Sequence, residues 1–143
     1  MKEGIMAIKI LLADDHKIVR DGLRQMLENQ GGYEVVAEAE NGRKALQLAR
    51  KHQPEIVIMD ISMPDLNGVD AARQLLAENS DIRVIALSMH SDKQYVDQML
   101  TAGVKGYLLK DCAFEELNQA LKVVMQGRSE ERRVGKECRY RWS

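Results

Sequence analysis

Cysteine is nearly absent: Cys112 and Cys138 lie far apart in a chain of 143 residues. That spacing makes no disulfide framework and fits a reducing cytoplasm. Aromatic residues make up only 4% of the chain, too few for a base-stacking surface or a sugar platform. Neither sign of charge dominates, and a formal net charge of -1 gives the whole chain no electrostatic reason to seek nucleic acid. No apolar run approaches the roughly 20 residues needed to cross a bilayer, and no basic-then-apolar leader opens the sequence, so neither export nor a membrane partner is expected.

What remains is ordinary for one globular domain, with 45% hydrophobic and 30% charged residues. Five apolar stretches read as strands: "IKILLAD" from Ile8, "YEVVAEAE" from Tyr33, "EIVIMD" from Glu55, "IRVIALS" from Ile82 and "VKGYLLK" from Val104. The first, third and fourth are almost unbroken Ile, Val, Leu and Met, which suits strands covered on both faces. The second alternates more and belongs nearer an edge. Helical spacing fills the intervals, beginning near Lys17, Gly42, Gly68, Asp92 and Phe114 and ending near Glu28, His52, Glu78, Ala102 and Gln126. Such alternation predicts an α/β domain: a five-stranded parallel sheet, doubly wound, with right-handed crossovers. Ligands of such sheets bind beyond the carboxyl ends of the strands, where the strand order reverses.

That rim gathers the polar residues. Asp14 and Asp15 close the first strand, Asp60 the third, Ser88 the fourth and Lys110 the fifth. Asp and Ser also favour helix N-caps, so each alone has a structural explanation. Three carboxylates on one rim repel unless a hard cation sits among them, and oxygen ligands with room for water suit Mg²⁺. No second imidazole and no thiolate stands at a matching strand end, which argues against zinc. His16 and His52 read as surface residues. A cation, an ammonium, a hydroxyl and a carboxylate nucleophile are the parts needed to receive a phosphoryl group. Asp60, alone at its strand end, suits the nucleophile; the adjacent Asp14 and Asp15 suit the metal. Asp65 reads as turn or helix-start chemistry.

"ADDH", "IVIMDISMPDLNGVD", "VIALSMHSD" and "AGVKGYLLKD", in this order and spacing, resemble the receiver domain of two-component response regulators, in its flavodoxin-like (βα)5 fold. "DDHKIVRDGLRQMLE" and "GYLLKD" resemble more narrowly the NarL/FixJ group, whose members usually carry a LuxR-type helix-turn-helix domain. The resemblance covers about residues 8–127. It implies Asp60 as phosphoacceptor, Asp15 as a direct Mg²⁺ ligand, Asp14 as a ligand through water, and the backbone carbonyl of Ser62 as a further ligand. It implies that Lys110 and Ser88 contact the phosphoryl oxygens and that Tyr107 is an aromatic switch following Ser88. Ser62 and His90 fall where the family tunes acyl-phosphate lifetime; by itself His90 reads as a solvated loop residue. Asp111 stands where many receivers have a cis-proline, which the NarL-like group often lacks.

The implied protein is a switch rather than an enzyme with turnover. It is cytoplasmic, receives its phosphoryl group from a sensor histidine kinase, and can form a homodimer on phosphorylation. DNA is reached only through a C-terminal domain absent from this chain. Two other readings stand beside it: a stand-alone receiver acting through protein contacts, and an Asp-nucleophile Mg²⁺ phosphatase. Phosphatases of the haloacid-dehalogenase type want a second aspartate two residues after the nucleophile, where this chain has Ser62.

The domain boundaries expected are a frayed start over 1–7, the receiver over 8–127 and a basic tail over 128–143. The tail, "RSEERRVGKECRYRWS", holds six Lys and Arg against three Glu. It resembles the translation of a sequencing adapter and is expected not to be native, the native chain continuing beyond Gly127.

Overall fold

Strands made almost wholly of Ile, Val, Leu and Met need cover on both sides. A computed structural model, describing residues 7–63, 68–88, 93–126, 130–134 and 138–142, supplies that cover. β1 (Ile8–Ala13), β3 (Ile56–Asp60) and β4 (Arg83–Ser88) form the middle of one sheet, with β2 (Tyr33–Ala39) and β5 (Gly106–Leu109) on either side. These five strands are parallel and run in the order β2-β1-β3-β4-β5. β2, the strand with the alternating pattern, is the outermost on its side. The order reverses between β1 and β3, so a crevice is expected where Asp14, Asp15 and Asp60 lie.

Alternation along each strand divides the apolar residues between two cores. Leu11, Ala13, Val57, Met59, Val84, Ala86 and Tyr107 face one way. There they meet Ala45 and Ala49 of α2 (Gly42–His52), Ala71 and Leu75 of α3 (Gly68–Glu78) and Met99 of α4 (Lys93–Thr101). Ile10, Leu12, Ile58, Ile85, Leu87 and Leu108 face the other way, onto Leu23 and Leu27 of α1 (Lys17–Gln30) and Leu117 and Leu121 of α5 (Lys110–Gln126). Each large side chain removed from water in this manner contributes roughly 1.5–3 kcal/mol.

Three features depart from the sequence reading. Helix α5 starts at Lys110 rather than near Phe114. No proline interrupts the passage out of β5, Asp111 complements the dipole of the first turn, and Cys112 and Ala113 are buried. Cys112 is disulfide-bonded, where two cysteines so distant in sequence give no sign of pairing. The basic tail also joins the sheet. β6 (Glu130–Val134) and β7 (Cys138–Trp142) are antiparallel, and β7 pairs with β5 through Gly106–Trp142 and Tyr107–Arg141, making seven strands in all. The open hydrogen-bonding edge of β5 accepts any nearby extended segment, and Val, Tyr and Trp favour that conformation.

The turn from α4 into β5 depends on Gly103, whose φ of 99° lies in the left-handed region. A Cβ there would stand 3.0 Å from Leu76 Cδ1. Gly103→Ala is therefore expected to destabilise by about 1–2 kcal/mol. The loss should exceed that of Gly32→Ala, where φ is 87° but the space is open. Urea unfolding of the two variants checks this; equal losses would show that Leu76 yields without cost.

Candidate functional site

Asp60, the last residue of β3, is fully buried. One carboxylate oxygen, Oδ1, accepts the Ser62 backbone N–H at 2.9 Å. The other, Oδ2, accepts from Lys110 Nζ at 2.8 Å. Lys110 reaches it because α5 begins directly where β5 ends, on the same rim. Lys110 is 8% exposed, and its ammonium stands 2.9 Å from Asp14 Oδ2 as well. That second approach is an ion pair without hydrogen-bond alignment. Among the described residues, Asp14 Oδ2 is the buried side-chain oxygen lacking a hydrogen-bond partner.

Asp14 and Asp15 occupy the turn between β1 and α1. Neither caps the helix: the cap position is His16, whose side chain makes no capping hydrogen bond. Asp14 instead folds back, its Oδ1 accepting the His16 backbone N–H at 2.8 Å. Asp15 is exposed, with Oδ1 3.1 Å from His16 Nδ1. Asp14, Asp15, His16 and Asp60 each present a ligand atom, and these atoms lie within 4.8 Å of one another.

Ser88, fully buried at the end of β4, pairs in register with Leu109, one residue before Lys110. Tyr107 is buried on β5 in the core that also holds Met99 of α4. Ser62 is exposed, its backbone N–H turned toward Asp60. His90 and Asp65 lie outside the described residues.

Two contributors were invisible to strand-end reasoning. Arg20, one turn into α1, donates from Nη1 to the Asp14 carbonyl at 2.6 Å and from Nε to Glu38 Oε1 at 3.1 Å. Arg24 Nη1 meets the other oxygen of Glu38 at 2.8 Å. The turn bearing Asp14 and Asp15 is thus tied to α1 and β2. His16 is the second, read as surface but set between both aspartates and Lys110. An arginine four residues past "DDH" was the only available signal for the first; adjacency to the acid pair was the signal for the second.

Burial raises the Asp60 carboxyl above its usual range, opposed by the hydrogen bonds from Lys110 and Ser62 and reinforced by the nearby charge of Asp14. Burial alone would lower Lys110, yet its hydrogen bond to Asp60 and the negative charge of Asp60 and Asp14 outweigh it and hold the ammonium above its ordinary value. The two shifts agree physically. One ammonium shared by two buried carboxylates is strongly favoured as a cation but does not offset both acids. An orphaned carboxylate oxygen among hard oxygen donors with spare negative charge fits a divalent metal ion.

A family model for the response regulator receiver domain matches residues 10–122. The chain is 42% identical over 120 residues to the transcriptional regulatory protein DegU of Brevibacillus brevis, covering 84% of this chain and 51% of that protein. It is 37% identical over 120 residues to the response regulator UvrY of Escherichia coli strain K12, covering 84% and 55%. It spans about half the length of these curated relatives. Among solved structures, a LuxR-family two-component response regulator from Aurantimonas sp. SI85-9A1 superposes with a TM-score of 0.81 at 36% identity, covering 86% of this chain and 88% of that one. The signal receiver domain of NarL from Mycobacterium tuberculosis gives 0.80 at 32% identity, covering 85% and 98%.

Two outcomes follow from the charge balance. Mg²⁺ at ten times its dissociation constant should stabilise the protein by about 1.4 kcal/mol, and Asp15→Asn should remove most of that gain; thermal unfolding with and without Mg²⁺ measures both. In metal-free buffer, Asp60→Asn should stabilise the fold at neutral pH. The wild-type carboxyl has a raised folded pKa, so its ionised form is disfavoured above that value and the penalty vanishes as pH falls through it. The advantage of Asn should therefore shrink on acidification. A constant advantage across a pH series of denaturation curves would contradict the raised carboxyl.

Proposed function

This chain belongs to the response regulator receiver domain family of two-component systems, and on that premise we propose that Asp60 is the residue that carries the phosphoryl group. The observation that supports it most is Lys110 Nζ, 2.8 Å from Asp60 Oδ2 and 2.9 Å from Asp14 Oδ2 at the bottom of the rim.

The donor is a phosphorylated histidine of a sensor kinase. A carboxylate oxygen of Asp60 attacks phosphorus, the P–N bond breaks, and its electron pair returns to the imidazole, which takes up a proton. The product is an acyl phosphate on Asp60. Burial of the carboxylate strips it of hydration before the attack, and Lys110 is placed to pair with the phosphoryl oxygens as they gain charge. The metal would be Mg²⁺, held by Asp15, by Asp14 through water, by Asp60 and by the Ser62 carbonyl; when bound it neutralises charge on the transferring group.

After transfer, Ser88 donates its hydroxyl to a phosphoryl oxygen. That contact exists only in the phosphorylated state and so biases the equilibrium between two conformations. Tyr107, on the α4 side of the sheet, adjusts with Ser88, and the faces of α4, β5 and α5 change. Ser62 and His90 set how readily water reaches the acyl phosphate. Residues 8–127 constitute the receiver, and the tail from about 128 is foreign to it. In its full-length protein, which operates in the cytoplasm, this receiver controls transcription by dimerising and engaging DNA through a LuxR-type helix-turn-helix domain. Among the described residues no helix is long and apolar enough to cross a membrane.

Incubation with a small-molecule phosphodonor and Mg²⁺ tests the assignment. Wild-type protein should acquire one hydroxylamine-labile phosphoryl group, Asp60→Asn none, and Lys110→Ala should retain the site while losing most of the rate. Label persisting on Asp60→Asn at the wild-type level would refute Asp60.

A further inference from the structure

His16 plays no part in the reaction just described, yet its ring sits in the middle of the charged rim. Nδ1 is 3.1 Å from Asp14 Oδ1 and 3.1 Å from Asp15 Oδ1. It is also 3.2 Å from Lys110 Nζ. One nitrogen cannot satisfy all three neighbours. Carrying a proton, it suits the carboxylates and confronts an ammonium; carrying a lone pair, it suits the ammonium and confronts two carboxylates. A bound cation relieves the clash with the carboxylates, because the lone pair and both carboxylates then face one positive charge.

We propose that His16 is a ligand of the rim cation, and that it makes this site hold a borderline divalent transition ion, such as Co²⁺ or Ni²⁺, more tightly than Mg²⁺. The inference rests on the metal reading given under Proposed function and deepens it.

Spacing supports ligation. Neighbouring ligands on an octahedron with bonds of about 2.1 Å stand about 3.0 Å apart, which is close to the 3.1 Å between Nδ1 and Asp15 Oδ1. The donor atoms of His16, both aspartates and Asp60 fall within 4.8 Å of one another, so with small inward shifts one ion can draw on His16, Asp15 and Asp60 directly and on Asp14 through water.

The position of His16 is also built rather than incidental. Its N–H is held by Asp14 Oδ1 at 2.8 Å, and its carbonyl accepts the Arg20 N–H at 3.1 Å. Arg20 in turn holds the Asp14 carbonyl. As the residue before α1 it has no capping duty, so the ring is free for another use. With its side chain 61% exposed, the ring leaves one side of the site open to entering ions and to water ligands.

The chemistry then follows from donor type. Mg²⁺ takes oxygen ligands and gains little from imidazole. Imidazole suits later first-row ions, whose affinity for mixed nitrogen and oxygen sites rises along the series from Mn²⁺ to Cu²⁺.

Calorimetric titration of the purified 143-residue chain with Co²⁺ and, in parallel, with Mg²⁺ tests the assignment, with the visible absorption of bound Co²⁺ as a second readout. Wild-type protein should bind Co²⁺ more tightly than Mg²⁺. His16→Ala should lose Co²⁺ affinity by at least the roughly 10-fold typical even of outer-shell groups and alter the Co²⁺ spectrum, while Mg²⁺ affinity stays near wild type. His16→Asn, which replaces the imidazole by an oxygen donor, should show the same split, and His52→Ala should change neither ion. Unchanged Co²⁺ affinity and spectrum in both His16 variants would overturn the inference and leave the Mg²⁺ reading standing. Failure of the wild-type chain to bind either ion would overturn both.

Discussion

One ammonium lies between two buried carboxylates, and the organisation of the rim follows from that imbalance. Lys110 is within 3 Å of Asp60 and of Asp14 and stands close to two acids that water barely reaches. Remove the lysine and two uncompensated charges remain in a low-dielectric setting, which costs several kcal/mol. Keep it, and one carboxylate oxygen still lacks a hydrogen bond. The rim is thus tolerable as it stands and improved by added positive charge, which a metal ion supplies.

The doubly wound sheet makes this arrangement possible. It brings three strand ends and the first turn of α5 to one crevice although they are separated by dozens of residues. The carboxylates are held from behind as well: Ser62 fixes Asp60, the His16 backbone fixes Asp14, and Arg20 with Glu38 ties the β1–α1 turn to its neighbours. Such prior fixing matters for phosphoryl transfer, in which positioning and charge compensation supply most of what a protein can contribute.

Much of this was legible in the order of residues. Unbroken apolar runs such as "IVIM" announce strands buried on both faces, and a polar residue directly after each run falls on one rim. That logic reaches Asp14, Asp15, Asp60, Ser88 and Lys110 without coordinates. It stops at side chains that arrive from helix faces. Arg20 belongs to a pattern that reads equally well as a solvated helix surface, and only the fold shows it bonding backward to the Asp14 carbonyl. The early start of α5 was hidden because "YLLKDCAF" stays mostly apolar across the change from strand to helix, so no shift in period marks the boundary. The pairing of β7 with β5 was equally hidden, since which segment covers a free edge depends on where the chain's end returns in space.

Each inner strand is gripped from both sides. On β4, Val84 and Ala86 belong to the core that α2, α3 and α4 cover, whereas Ile85 and Leu87 belong to the core that α1 and α5 cover. A strand interlocked with two layers can neither slide along its axis nor tilt without opening voids in both. Ser88 therefore terminates a stiff beam, and its hydroxyl sits on one of the most firmly held points of the rim.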